Sequence, residues 1–127
     1  MSEHRFAVSP THVEKPWGWE LVWAATDAYA GKLLFVRAGE ALSLQYHVVK
    51  DESWLVREGR ALLELGDEDG ELESLEIAAG DALRLAPGTM HRVTALEDTL
   101  IIEVSTPQLD DVVRVEDRYG REGTTAP

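Results

Sequence analysis

The chain has 127 residues, no cysteine, and 24 acidic against 12 basic side chains, for a formal net charge of −12. Disulfides and thiolate metal sites are excluded, and the charge argues against nucleic acid or an anionic membrane as a partner. The length suits one domain with a real hydrophobic core, and no apolar run approaches the ~20 residues of a membrane span.

Residues 1–14 show no clear period and read as a loose N-terminal arm, with His4 and His12 solvated. The opening MSEHRFAVSP has no apolar signal core, which points to a cytoplasmic protein. Lys15 to Glu20 is a dense aromatic and Pro/Gly cluster. Leu21 to Ala24 reads as a short strand, and Lys32 to Arg37 as a strand buried on nearly both sides.

The stretch from Gly39 to Gly59 carries the chemistry. Leu42, Leu44, Tyr46 and Val48 alternate with Ser43, Gln45 and His47, so a strand would give one greasy face and one carrying Gln45 beside His47. After a turn at Lys50-Asp51, Glu52, Trp54 and Val56 alternate again. The pattern predicts a hairpin that brings a carboxylate back to an imidazole and an amide, all donors for a divalent metal.

Further short strands follow over Arg60 to Leu65, Leu72 to Ile77, Ala82 to Leu85, Met90 to Leu96 and Leu100 to Val104. The acidic segment Gly66 to Glu71 lacks calcium-loop spacing and reads as a hairpin tip. Ala86-Pro87-Gly88-Thr89 is a tight turn that delivers His91 to the next strand. Val112 to Tyr119 reads as a last strand or a tail packed over the barrel, and 120–127 as a flexible tail. Many short strands with regular turn signals and no helical period predict an all-β sandwich or barrel.

If the His91 strand lies beside the hairpin, Gln45, His47, Glu52 and His91 form a four-donor set for a divalent transition metal. Glu103 interrupts an apolar strand, so it needs a partner such as Arg92 or faces a pocket with a shifted pKa. Trp54 shares a face with Glu52 and can wall that pocket. Trp17 is either part of a sugar site or ordinary packing. Lys15, Lys50, Arg114, Arg118 and Arg121 are the candidates for binding a phosphate, each against the alternative of a surface ion pair.

The two metal segments resemble the signature motifs of the cupin superfamily. In the first, Gly39 is followed after five residues by Gln45-x-His47, then Glu52 and Gly59 at the family spacing, with Gln45 standing where a histidine is usual. In the second, Gly80, Gly88 and His91 hold their places while Pro87 sits one residue late. Gln-x-His with a Glu and a later His, the KPWGWE entry, the segment LSLQYHVVKDESWLV and the ending DDVVRVEDRYGR are together similar to the cupin domain of type II mannose-6-phosphate isomerases. The resemblance covers residues 15–121; Val48, Val49 and Lys50 depart from it.

It implies a double-stranded β-helix, or jelly-roll, cupin domain over residues 15–119. It implies one divalent metal ion, zinc first, with manganese, nickel or iron as other candidates, held by Gln45, His47, Glu52 and His91. The implied reaction is aldose–ketose isomerisation of a sugar phosphate, mannose 6-phosphate or a close analogue. Glu103, Lys50 and Arg118 would act in catalysis, and Lys15, Trp17, Trp54 and Arg114 would bind substrate. A non-catalytic sugar-binding or regulatory cupin and a cupin oxygenase are the alternatives. The expected partners are a small sugar phosphate and a second copy of the chain, through exposed strand edges, with no nucleic acid and no membrane.

Overall fold

A computed structural model describes residues 5–66 and 70–122. Among them there is no helix, hence none long and apolar enough to cross a membrane. Eleven strands form two antiparallel sheets: β1 (Thr11–Lys15), β2 (Gly18–Ala25), β3 (Ala30–Val36), β4 (Leu44–Tyr46), β5 (Glu52–Glu58), β6 (Arg60–Gly66), β7 (Glu73–Ala78), β8 (Ala82–Leu85), β9 (Met90–Ala95), β10 (Thr99–Ser105) and β11 (Val113–Glu116). One sheet has the order β1-β2-β3-β10-β5-β8 and the other β11-β4-β9-β6-β7. This is an all-β, two-sheet architecture, as the strand pattern predicts, and it has the jelly-roll form that the cupin resemblance implies.

The core fills the space between the sheets. Leu34, Val36, Trp54, Val56, Ile101 and Leu85 project inward from one sheet, and Leu63, Ile77 and Val93 from the other. Each such side chain contributes about 1.5–3 kcal/mol by leaving water. The alternation that buries them is the period-2 pattern read from β5, β9 and β10.

Several expectations change. Residues 11–14, expected in a loose arm, pair with β2 along its first half. Their side chains are exposed, so the strand is set by backbone bonds alone and leaves no apolar period to read. His12 is exposed but rests against Trp19, ring centroids 5.5 Å apart. At the other end, Arg121 is clamped by Asp117 through its backbone N–H and its guanidinium, so the start of the expected flexible tail is held. Residues 123–127, and 67–69 of the acidic turn, lie outside the described residues.

The expected hairpin is the larger correction. β4 pairs with β9 and β11, whereas β5 pairs with β10 and β8, so the chain crosses from one sheet to the other between Tyr46 and Glu52. The carboxylate and the imidazole meet across the barrel, not along a ladder. Nor is the stretch amphipathic: Leu42 and Leu44 are buried, as the alternation predicts, but so is the polar face. Gln45 and His47 are buried, while Val48 and Val49 are 62% and 58% exposed.

A register row sets up the site. Lys32 on β3, Glu103 on β10, Trp54 on β5 and Leu83 on β8 are successive Cα partners across the six-stranded sheet. Opposite it, Arg114 on β11, Gln45 on β4 and His91 on β9 are partners in the same way. The polar groups Lys32 and Glu103 of the first row therefore share the barrel interior with Arg114, Gln45 and His91 of the second.

Candidate metal centre

His47, Glu52 and His91 are all buried, and one ligand atom from each lies within 4.8 Å of the other two. His47 Nε2 is 3.2 Å from Glu52 Oε2, and His91 Nε2 is 3.9 Å from Glu52 Oε1. The opposite nitrogen of each ring is occupied. His47 Nδ1 donates to the Asp111 carbonyl, and His91 Nδ1 donates to the Thr89 carbonyl at 2.9 Å. Those bonds fix the rings and turn both Nε2 atoms toward Glu52.

Burial lowers the His91 pKa, only partly offset by Glu52, so its ring is neutral and its Nε2 is a bare lone pair. That nitrogen has no hydrogen-bond partner among the described residues, whereas Glu52 Oε2 is met by Lys50 Nζ at 3.0 Å. A buried acceptor left without a partner costs about 1–3 kcal/mol. A cation among the three groups removes the cost, so the residues present fit a divalent metal of the N/O class. Gln45 lines the same pocket, and its Oε1 accepts from Ser43 Oγ at 3.1 Å, which orients the amide.

Local structure holds the donors in place. Gly88, at φ +83°, takes the position of a type II turn after Pro87 that only glycine occupies without strain. Its N–H donates to the His47 carbonyl at 2.8 Å, so the turn that launches His91 is tied to the other histidine. The late Pro87 leaves this turn intact. Asp111 does a comparable job from another segment: its carboxylate accepts the N–H groups of Val48, Val49 and Lys50 at 3.1, 2.7 and 2.8 Å.

Beside the donors, Lys50 Nζ lies 3.0 Å from Glu52 Oε2 and 3.2 Å from Glu103 Oε2. Burial works against its charge, but Glu103 and Glu52 outweigh burial and raise its pKa. Glu52 is likewise opposed by burial, yet contact with His47 and the charge of Lys50 hold its carboxyl down to about 2. Glu103 goes the other way. Burial first, then the charge of Glu52, pushes its pKa up, against the pull of Lys50 and Lys32. Trp54 Nε1 donates to Glu103 Oε1 at 3.2 Å. Two carboxylates in one pocket thus have oppositely shifted affinities for a proton.

The rest of the pocket is basic. Lys15 and Lys32 both ion-pair with Glu20, Lys15 at 3.3 Å, and Arg114 and Arg121 line the same space. Trp17 and Trp54 are part of its wall, and both are also core residues. Of the residues the sequence points to, Lys15, Trp17, Gln45, His47, Lys50, Glu52, Trp54, Glu103 and Arg114 line this pocket, and His91 closes the metal-donor cluster. Arg118 does not. Its guanidinium donates to the Gly39 carbonyl at 2.8 Å and lines a separate surface cleft with Glu64, Arg92 and Glu116. Arg92, considered as a partner of Glu103, bonds Glu64 and Glu116 on the other sheet.

Sequence reasoning missed Glu20, Lys32, Ser43 and Asp111. Lys32 carried a signal, a lone charge at the head of the apolar run Leu33 to Val36. Glu20 carried one too, as the acid closing KPWGWE. Asp111 carried none, because it acts through backbone groups more than sixty residues away in the chain.

The chain matches the family described as mannose-6-phosphate isomerase C-terminal over residues 3–117. It is 37% identical over 113 residues to the mannose-1-phosphate guanylyltransferase ManC of Salmonella typhimurium, covering 86% of this chain and 23% of that protein. The chain therefore spans less than a quarter of that relative's length. Among solved structures, it is similar to the Mn(II)-containing oxalate decarboxylase of Bacillus subtilis, with TM-score 0.71, 20% identity and coverage of 82% of this chain and 29% of that one. It is also similar to KdgF from Halomonas sp., with TM-score 0.62, 26% identity and coverage of 79% and 86%. The family match spans both metal-donor segments, and with it the chain belongs to the mannose-6-phosphate isomerase C-terminal family of cupin domains.

Proposed function

We propose that the protein is a metal-dependent aldose–ketose isomerase acting on a phosphorylated sugar, mannose 6-phosphate or a close analogue. The observation that carries this is the pair Glu52 and Glu103, joined by Lys50 and split in pKa, next to a donor set that fits a divalent cation. Family membership supports the substrate class.

His47, Glu52, His91 and Gln45 would hold the ion, with zinc, manganese, nickel or iron compatible with such donors. When bound, it supplies a positive centre that polarises the substrate's carbonyl and hydroxyl oxygens.

The isomerisation moves one proton from C2 to C1 and one from O2 to O1, with no net oxidation. Glu103 suits the carbon-bound proton. Its raised pKa makes it a stronger base than an ordinary carboxylate, and Trp54 fixes one oxygen so that the other faces the pocket. The same carboxyl returns the proton to the neighbouring carbon. Lys50, already charged, stabilises negative charge on the enediolate oxygens. Glu52 stays ionised throughout and keeps Lys50 in place.

The test is Glu103→Gln. With the bound metal unchanged, turnover is expected to fall by about 10²–10⁴-fold, the usual worth of a general base. Wild-type turnover in that variant removes Glu103 from the mechanism. Full metal content with no turnover in the unmodified protein supports a non-catalytic sugar-binding cupin instead.

A further inference from the structure

The outer face of the six-stranded sheet breaks a rule that the five-stranded sheet obeys. An antiparallel sheet packed on a core on one side turns polar side chains to water on the other. The five-stranded sheet does so: Arg92 with Glu64 and Glu116, and Arg60 with Glu76, lace its outer side. The outward positions of the six-stranded sheet are apolar instead. They alternate along the strands with Glu20, Lys32, Trp54 and Glu103, which point inward. One row of cross-strand partners runs Leu21, Leu33, Ile102, Leu55 and Ala82. Beside it, Trp19, Phe35 and Leu100 form a second row, with the Trp19 and Phe35 rings stacked at 5.3 Å.

Val104 lies on the other flank, partnered by Gly31. A bulge between Val22 and Ala24 brings the Trp23 ring over Gly31, to the place a side chain there would take. Trp23, Leu55 and Val104 are 42%, 41% and 51% exposed. No member of this patch is charged, in a chain whose net charge is −12. Strand spacing and rise put the patch at about 20 by 24 Å, several hundred Å², the size that marks an interaction site. Its rim is polar, with His12 and Glu14 on β1 and Arg57 and Arg84 on β5 and β8. An apolar centre inside a polar rim is the anatomy of a protein–protein contact.

We propose that this outer face of the six-stranded sheet is the contact between two copies of the chain, packed face to face about a two-fold axis. Charge selects the occupant. A second copy carries the same net charge of −12, so two copies meet at least cost where charge is absent, and this patch is such a surface on both. A two-fold contact also needs a surface that complements itself, which a flat apolar sheet face does. Area agrees: a standard interface takes about 800 Å² of accessible surface per partner, the order that the patch and its rim together offer. The sequence places a second copy at exposed strand edges, where backbone groups would pair. The face holds it through side chains instead, and mutation separates the two. The pocket lies on the inner side of the same strands, so the contact does not cover it.

Sedimentation equilibrium of the full chain is the direct test, with a dimer expected. Leu55→Lys and Val104→Lys put a charge at exposed positions of the patch, where the core is not disturbed. Each should raise the dimer dissociation constant at least ~30-fold, the worth of a central interface residue. Leu75→Lys, at a comparably exposed residue on the edge strand β7 of the other sheet, should leave it unchanged. Hydroxyl-radical footprinting of the wild type needs no variant: Trp23 and Leu55 should be protected when the chain is concentrated and reactive when it is dilute. Equal reactivity at both concentrations overturns the proposal. So does a wild type that stays monomeric, and co-flotation of that monomer with phosphatidylcholine vesicles would give the face to a lipid surface. A dimer that both face variants leave intact, or that Leu75→Lys dissociates, also overturns it and moves the second copy to a strand edge.

Discussion

His47 Nε2 stands 3.2 Å from Glu52 Oε2 while the other nitrogen of the ring donates to a backbone carbonyl. The atom facing Glu52 therefore either carries a second proton or offers its lone pair to a cation that Glu52 also binds. Removing one of these donors should abolish tight metal binding. His47→Ala and His91→Ala are expected to lower metal affinity by more than ~100-fold, beyond the 10–100-fold that loss of a supporting group causes. Elemental analysis after dialysis measures it, and unchanged metal content in both variants places the site elsewhere.

Asp111 acts at one remove. Its carboxylate gathers three N–H groups of the Val48–Lys50 segment, and its carbonyl fixes the His47 ring. Asp111→Ala leaves the carbonyl but frees the segment. It should cost about 1.5–3 kcal/mol of stability, the range for bonds to a charged group, and weaken metal binding roughly tenfold. Urea melts and metal titration of the same preparation measure the two effects; a loss in neither would mean that the segment is held by something else.

Glu20 makes a pH prediction. Burial raises its pKa, but Lys32 and then Lys15 outweigh burial, and the folded value lies below the ordinary one. A carboxyl depressed on folding contributes stability that is fully present above its ordinary range. The contribution is lost as pH falls through that range toward the folded value. Glu20→Gln should be less stable than wild type at neutral pH, by up to about 3–5 kcal/mol, because it leaves buried ammonium groups without a partner. It should also show a shallower loss of stability on acidification. Equal acid slopes in urea melts across pH would show that Glu20 is not a source of the pH dependence.

Gly59 ends the first motif at φ +93°, and an added Cβ would lie 2.2 Å from the Asp98 carbonyl oxygen. Gly59→Ala meets both a left-handed backbone and a backbone clash, so a loss of more than ~2 kcal/mol is expected. At Gly39, φ is +84° but nothing lies within 4 Å, and Gly39→Ala should cost only about 1–2 kcal/mol. Thermal melts that rank the two in the opposite order would contradict this account of the turn.

The fold was legible because its strands alternate: Glu52–Glu58 and Ala82–Leu85 carry the boundaries that the pattern predicts. The metal donors were legible because motif spacing survives even where the local picture fails. A hairpin and a crossover between sheets put Glu52 near His47 equally well, and only backbone pairing tells them apart. Strand β1 was hidden because pairing, not burial, defines it. Glu20 and Lys32 were visible as isolated charges, but their meeting with Lys15 depends on the β1-β2-β3 order. Arg118 was misplaced because β11 ends at Glu116, after which the chain turns its guanidinium to Gly39.

The central claim is that the metal-loaded pocket interconverts an aldose and a ketose phosphate. The most direct test incubates the purified chain with mannose 6-phosphate, once with divalent metal and once after chelation, and measures fructose 6-phosphate. The account predicts turnover that requires the metal, disappears in His91→Ala, and falls at least 10²-fold in Glu103→Gln. No fructose 6-phosphate from protein shown to carry its metal would contradict it.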